Sequence, residues 1–434
     1  MGMQLKIYSS LVFCILLIAC RTETSWEKWT ESHIRPLSSL DEQNYEDLYF
    51  LDNLLVGKTF VILGEETHGE KATVEYKLRL IRYLNQKLGY KILLAEGLNF
   101  YTCTNDSSLI KENASLQYLR SDVFSSVYKS LSDSFLLFGI DTNQSLYTQS
   151  FIDSLRQFVL QIENDNFSID WEKMNQANRV LYELRNTAIH SESELYQRLR
   201  KADSLIINLQ SVENFLSTIL VSNTDIFLSK LWMQKIKNRI CELKDYQLTA
   251  ENRFLHKKFT LDSLSRKAIA LRDRQMAENI RWIKSVYPDD KFIVWTATVH
   301  GLKSYNILEE PHRTRFNYRK SLRSYLDDWF PGQTYTIAFN DYEGSIDDGK
   351  QLKGTLPIPS VESLESVMNR YYPFSFIDFS SCRDSLLIKR NFKANLMGGE
   401  KEGAWMQAVD GVLFIRKQTP LLNIKNKRVD QLIR

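Results

Sequence analysis

Seven short, almost wholly apolar runs constrain this chain more than any other feature. They are FVILGEE from Phe60, KILLAEG from Lys91, FLLFGID from Phe135, KFIVWTAT from Lys291, TYTIAFND from Thr334, FSFIDFS from Phe374 and GVLFIRK from Gly411. A strand with one wet face alternates apolar and polar residues, whereas a strand apolar throughout is covered on both faces. Between runs lie stretches of helical spacing. In KATVEYKLRLIRYLNQKLGY, Tyr76, Leu80, Leu84 and Leu88 form one stripe, Ile81 widens it, and Gly89 is a stop signal. Buried strands alternating with helices fold as a largely parallel sheet with right-handed crossovers. The expected class is therefore α/β, a central sheet flanked by helices.

The region from about 146 to 283 breaks this rhythm. It is rich in Leu, Lys, Glu, Gln and Asn, and it holds no comparable strand. Segments such as ELYQRLRKADSLIINLQSVENFLSTIL carry helical periodicity. It reads as a long helical insertion between the third and fourth strands. It would lie either over the active-site end of the sheet or on its outside.

The first twenty residues have one charge, Lys6, and an apolar core from Leu11 to Ile18. That core is short for a membrane span and suits a signal peptide. It ends in LIAC, which resembles a bacterial lipobox with Cys20 as the lipidated residue; a plain secretory signal is the alternative. The expected organisation is a lipoprotein signal at 1–20, a polar tether and first helical turns at 21–45, and one elaborated domain at 46–434. The protein is then exported and held on a bacterial membrane by its lipid.

Net charge is +3, with Lys and Arg dispersed and no basic arm or stripe, so nucleic acid is not an expected partner. Beyond the leader stand Cys103, Cys241 and Cys382, an odd number without metal-like spacing. This argues against a disulfide framework or a cysteine-built zinc site, although one bridge remains open. No G-x-S-x-G elbow, G-x-G-x-x-G or P-loop occurs, so neither a serine nucleophile nor a nucleotide cofactor is expected.

Ligands of open α/β sheets bind beyond the carboxyl ends of the strands. There the first run ends in Glu65, Glu66 and His68, the second in Glu96, the third in Asp141, and the fourth leads to Thr296, Thr298 and His300. An imidazole titrating near 6.5 can take a proton from water, and a carboxylate beside it fixes its tautomer. His68 is the candidate base, with Glu65 or Glu96 as its orienting acid. His300 or Arg272 would polarise a carbonyl oxygen. The same two histidines and two glutamates could hold zinc or manganese. The helical H-E-x-x-H arrangement is absent, which makes a divalent metal the lesser option, and no cofactor is expected. Gly64 would let the chain turn at the strand end, and Glu66 reads as a solvated loop carboxylate.

At these residues the chain resembles the erythromycin esterase family. The resemblance runs through LGEETHGEKATVEYKLRLIRYLNQKLGYKILLAEG, FGIDT, LRDRQMAENIRWI, VWTATVHG, SLRSYLDDWF and AVDGVLFIRK. It implies hydrolysis of a lactone or related ester by activated water, with no covalent nucleophile. His68 matches the general base, Glu65 and Glu96 the acidic residues, Arg272 the arginine of the R-D block, and His300 the second histidine of an H-N-x-H pattern. Ala297 replaces the first histidine of that pattern and Thr298 its asparagine. Lys77 stands where an arginine is expected, and lysine cannot make the bidentate contact. Lys77, Asp141 and Thr298 are expected to contact substrate, a small-molecule ester or lactone. Two readings compete: a catalytically reduced binding protein, and a metal-dependent hydrolase or peptidase of related fold.

Overall fold

The computed structural model describes residues 25–38, 40, 44–100, 103–104, 115–131, 135–142, 148–162, 169–219, 226–258, 260–316, 319–347 and 353–421. The expected signal segment 1–20, including Cys20, lies outside the described residues. Among those residues, no helix is long and apolar enough to cross a membrane.

All seven apolar runs are strands: β1 (Phe60–Glu65), β2 (Tyr90–Asn99), β3 (Leu136–Asp141), β4 (Lys291–Ala297), β5 (Thr334–Asp347), β6 (Phe374–Asp378) and β7 (Gly411–Gln418). They are ordered β6-β7-β5-β1-β4-β2-β3. Every neighbouring pair is parallel except β6 with β7. Short antiparallel pieces lie beside this core, Arg35–Pro36 on β6, Cys103–Thr104 on β3 and Lys353–Thr355 on β5. The architecture is α/β with a largely parallel sheet.

The period-two alternation of the strands divides their side chains between two apolar layers. Val61, Leu63, Leu93, Ile293 and Trp295 face one layer with Tyr76, Leu80, Ile81 and Leu84 of helix α1 (Lys71–Leu88). Phe60, Ile62, Ile92, Leu94 and Val294 face the other. Each such side chain stabilises the fold by about 1.5–3 kcal/mol through burial. Helix α1 ends where expected: Gly89 adopts φ 72° and returns its N–H to the Leu84 carbonyl.

Between β3 and β4 the described chain is helical. Its long members are α2 (Glu192–Ile219), α3 (Ile226–His256) and α4 (Ser263–Val286). The inserted helices have their own core, with Leu205, Leu209, Val212 and Leu216 packed with Trp232, Ile236 and Leu243. Helix α4 starts at a capping box between Asp262 and Ser265 and joins the two cores. Its Met276, Ala277, Ile280 and Ile283 pack on the second face of the sheet. Asn279 donates 2.9 Å to the Ile140 carbonyl of β3 and 2.8 Å to Asn238 of α3.

Residues 25–36, expected as tether and first turns, pack on the domain. Trp26 of the helix Ser25–His33 is buried and stacks on Phe392 at 4.7 Å. Cys241 and Cys382 are both buried free thiols, so they do not form the bridge left open.

Candidate active site

The parallel ladder sets the site. Gly64 pairs with Thr296 and Glu65 with Ala297, while Ala95 pairs with Trp295, which brings Glu96 level with the end of β4. After Ala297 the chain makes one helical turn, Thr298–Gly301, which carries His300. Gly64 is required here by close approach. A Cβ on it would stand 2.8 Å from the Thr298 Cα, and its φ is not positive, so the expected turn at Gly64 is corrected. The backbone irregularity instead follows Glu96, where β2 shifts register between Ala95 and Asn99 and Gly97, at φ +79°, donates 3.1 Å to Asp141 Oδ2.

Glu96 is the hub. Its Oε2 accepts from Thr296 Oγ1 at 2.7 Å and from the Ala297 N–H at 2.9 Å. Its Oε1 accepts from Arg272 Nη2 at 2.7 Å and lies 3.3 Å from His300 Nε2. Burial favours the neutral carboxyl, but His300 and Arg272 outweigh it and hold the pKa well below the usual range. Arg272 is clamped by Asp141, with Nε at 2.9 Å from Oδ1 and Nη2 at 2.7 Å from Oδ2. His300 is buried, and its Nδ1 bonds Asp273. Burial alone would lower its pKa, yet Asp273 and Glu96 raise it to about 9, so it is an imidazolium at neutral pH. Arg272 Nη1 lies 3.3 Å from His300 Nε2. Both then carry hydrogen, so they converge as two donors instead of bonding each other.

His68 differs in kind. Its side chain is 29% exposed, against 3% for Glu65, whose Oε1 lies 2.9 Å from Nδ1. An ionised Glu65 fixes the proton on Nδ1 and leaves Nε2 with its lone pair. Burial lowers the His68 pKa; Glu96 pushes it up, while Arg272 and His300 push it down. All three are thus close enough to act on it. The base candidate is neutral, and the second histidine is charged.

The structure gathers His68, Glu65, Glu96, Arg272, His300 and Asp141, but it corrects three expected contacts. Lys77 is fully buried, so it is no substrate contact. Its Nζ donates 2.8 Å to the Leu63 carbonyl and pairs with Glu65 Oε2, holding that carboxylate from behind. Thr298 is fully buried against Gly64. Asp141 is 2% exposed and spent on Arg272 and Gly97. The metal alternative on Glu65, His68, Glu96 and His300 meets a local obstacle, because the Arg272 guanidinium and the His300 imidazolium occupy the place of a cation.

Two groups escaped the sequence reading. Asp273 orients His300, and the signal was available in the Arg272-Asp273 pair on one helix. The second is a set of acids across β1. Glu66, Glu70 and Asp341 each offer an oxygen within 4.8 Å of the others. Glu66 accepts 3.1 Å from the Gly399 N–H and keeps Oε2 buried, so it is not the expected solvated carboxylate. Burial raises all three pKa values, that of Glu70 to about 7. Asp341 closes the apolar run TYTIAFND, although β5 itself continues to Asp347.

A cavity of about 350 Å³ opens beside Arg272, lined by Asp245, Tyr246 and Thr249 of α3, Ile269 of α4, and Arg185 and Arg253. The insertion therefore reaches the strand-end edge that carries the site.

No family model matches the chain. A putative hydrolase of Bacillus subtilis strain 168, YbfO, is 27% identical over 436 residues, covering 94% of each chain. Among solved structures, a succinoglycan biosynthesis protein superposes with TM-score 0.69 at 16% identity, over 94% of this chain and 100% of that one. A mutant of the erythromycin esterase EreC, in its open conformation, gives TM-score 0.63 at 14% identity, over 89% of this chain and 98% of its own. The fold is shared with both. It is the fold that the resemblance implied, and it covers nearly the whole described chain.

Proposed function

We propose that this protein is a hydrolase that cleaves an ester or lactone with water activated by His68. The observation that carries the reading is the pairing of opposites at one strand edge. A neutral, part-exposed His68 ordered by Glu65 stands beside a cationic pair, the part-exposed Arg272 and the buried His300. The names of the Bacillus subtilis relative and of the esterase neighbour support hydrolysis.

In the proposed step, His68 Nε2 takes a proton from water as the water oxygen bonds the carbonyl carbon. The carbonyl π pair moves to oxygen, and the oxyanion is met by Arg272 Nη1 beside His300. When the tetrahedral intermediate collapses, the C–O bond breaks. The leaving alkoxide takes the proton back from His68, which restores the neutral base. Glu96, Asp141 and Asp273 are positioning residues that hold the two cations. The cavity lined by Arg185, Asp245, Tyr246 and Arg253 is the candidate substrate pocket.

The test is a panel of aryl esters and macrolactones with wild type and His68→Ala. Loss of a general base lowers kcat by about 10²–10⁴-fold. Equal rates for the two proteins across the panel would overturn the reading.

A further inference from the structure

The acids on the far side of β1 have a different arrangement from the site just described. Glu65 and Glu66 are consecutive, and the chain sends them to opposite sides. Glu65 goes to Lys77 and His68. Glu66 joins Glu70, at the start of α1, and Asp341, midway along β5, with ligand-capable oxygens all within 4.8 Å of one another. Glu70 and Asp341 are each 2% exposed.

An acidic cluster alone is weak ground, because carboxylates gather without an ion. Here the hydrogen bonding points further. Buried oxygens normally find donors. Yet Glu66 Oε2 and Asp341 Oδ2 are buried without one, and so is Oε2 of the fully buried Glu365 close by. Glu365 is not misplaced. Its Oε1 accepts from Asn340 Nδ2 at 2.9 Å and from the Asn395 N–H at 2.7 Å, which leaves Oε2 oriented and unused. The amide oxygens of Asn340 and Asn395 are likewise buried and without donors. The nearby cation, Lys401, spends its ammonium on the carbonyls of Met397, Gly398 and Gly399 at 3.0, 2.9 and 2.9 Å.

We propose that Glu66, Glu70 and Asp341 bind a hard divalent cation, in a site separate from the His68 centre and backed by Glu365. The donors are all oxygen, with no histidine or cysteine, which suits calcium, magnesium or manganese better than zinc. A cation there would tie the end of β1 to β5 and to the start of α1. It would thus fix both ends of the 66–70 loop that carries His68. The site does not depend on what reaction His68 performs.

The experiment uses the full chain, stripped with EDTA and then titrated separately with calcium, magnesium, manganese and zinc chloride. Calorimetry and elemental analysis read binding, and a thermal melt reads stability. Expected are one equivalent of a hard cation per chain and a raised melting temperature. Asp341→Asn and Glu66→Gln should both lose that binding and that rise, while His68→Ala and Glu96→Gln keep them. Circular dichroism of each variant confirms that it folds. No stoichiometric calcium, magnesium or manganese, or binding that survives in Asp341→Asn and Glu66→Gln, overturns the proposal. Binding lost in His68→Ala or Glu96→Gln instead would move the ion to the other centre and overturn it as well.

Discussion

The two sides of the β1 end hold similar numbers of acids and treat them in opposite ways. On one side Glu65, Glu96, Asp141 and Asp273 each face a basic side chain: Arg272, His300, or Lys77, whose pKa burial pushes well below the usual lysine value. On the other side Glu66, Glu70, Asp341 and Glu365 crowd together; Glu70 accepts 2.8 Å from Thr67, while among the described residues Glu66 Oε2, Asp341 Oδ2 and Glu365 Oε2 are buried without a donor. The first side is paired acid to base and leaves His68 as its part-exposed member. The second is open electrostatically, and its chemistry depends on what it takes up. Composition along the sequence does not distinguish them. Counter-charge does, and counter-charge is a property of the fold.

The sharpest way to break the comparison is Lys77→Met. Removing one partner of a buried ion pair strands the other, at a cost of about 3–5 kcal/mol. Lys77 and Glu65 are both essentially unexposed, so denaturant unfolding should show most of that loss. A loss below about 0.5 kcal/mol, the range of ordinary surface substitutions, would mean that the first side is not closed by pairing.

The pH profile sharpens it next. In the proposed mechanism His68 acts as the neutral base, and its pKa is lowered by burial, so the rate should fall tenfold per unit only below the ordinary histidine value. His300 must be charged, and its pKa is raised to about 9, so the rate should fall again above that value. The stability linkage has matching sign. His300 contributes fully below its unfolded pKa near 6.5, and the contribution is lost as pH rises through about 9. A profile without an alkaline limb would remove the imidazolium from the mechanism.

The smallest effect belongs to the second side. In EDTA, Asp341→Asn should stabilise the protein by on the order of 1 kcal/mol, because it deletes a buried carboxylate that has no counter-charge. The reverse sign would mean that Asp341 is satisfied within the chain.

Much of this was legible beforehand. The strands announced themselves because both faces of the sheet are covered, so most of their runs, TYTIAFND and FSFIDFS excepted, carry no polar alternation. The strand-end rule put Glu65, His68, Glu96 and His300 at one edge of the sheet, where the structure has them, and the helical spacing marked α1 and its stop at Gly89. The pairings were not legible. Arg272 meets Glu96 across 176 positions of sequence, and no local pattern encodes that distance. Lys77 is illegible for the same reason: a lysine nearly two turns into α1 looks exposed until the fold places the Glu65 carboxylate behind it. Ala297, read as the loss of a histidine, contributes its backbone N–H to Glu96, a contact any residue except proline could make.

Helix α4 carries one more consequence. Through Met276, Ala277 and Asn279 it is fastened to the sheet, and through Asn279 and the Cys241 thiol, 3.5 Å from the Leu271 carbonyl, it is fastened to α3. Arg272 rides on this shared beam, while most of the pocket wall rides on the inserted helices alone. Under the proposed function, mutational drift in the wall retunes which molecules are admitted without disturbing the register that holds Arg272 against Glu96. Such a scaffold can change its clientele while keeping its chemistry, which gives directed evolution of this protein a defined place to begin.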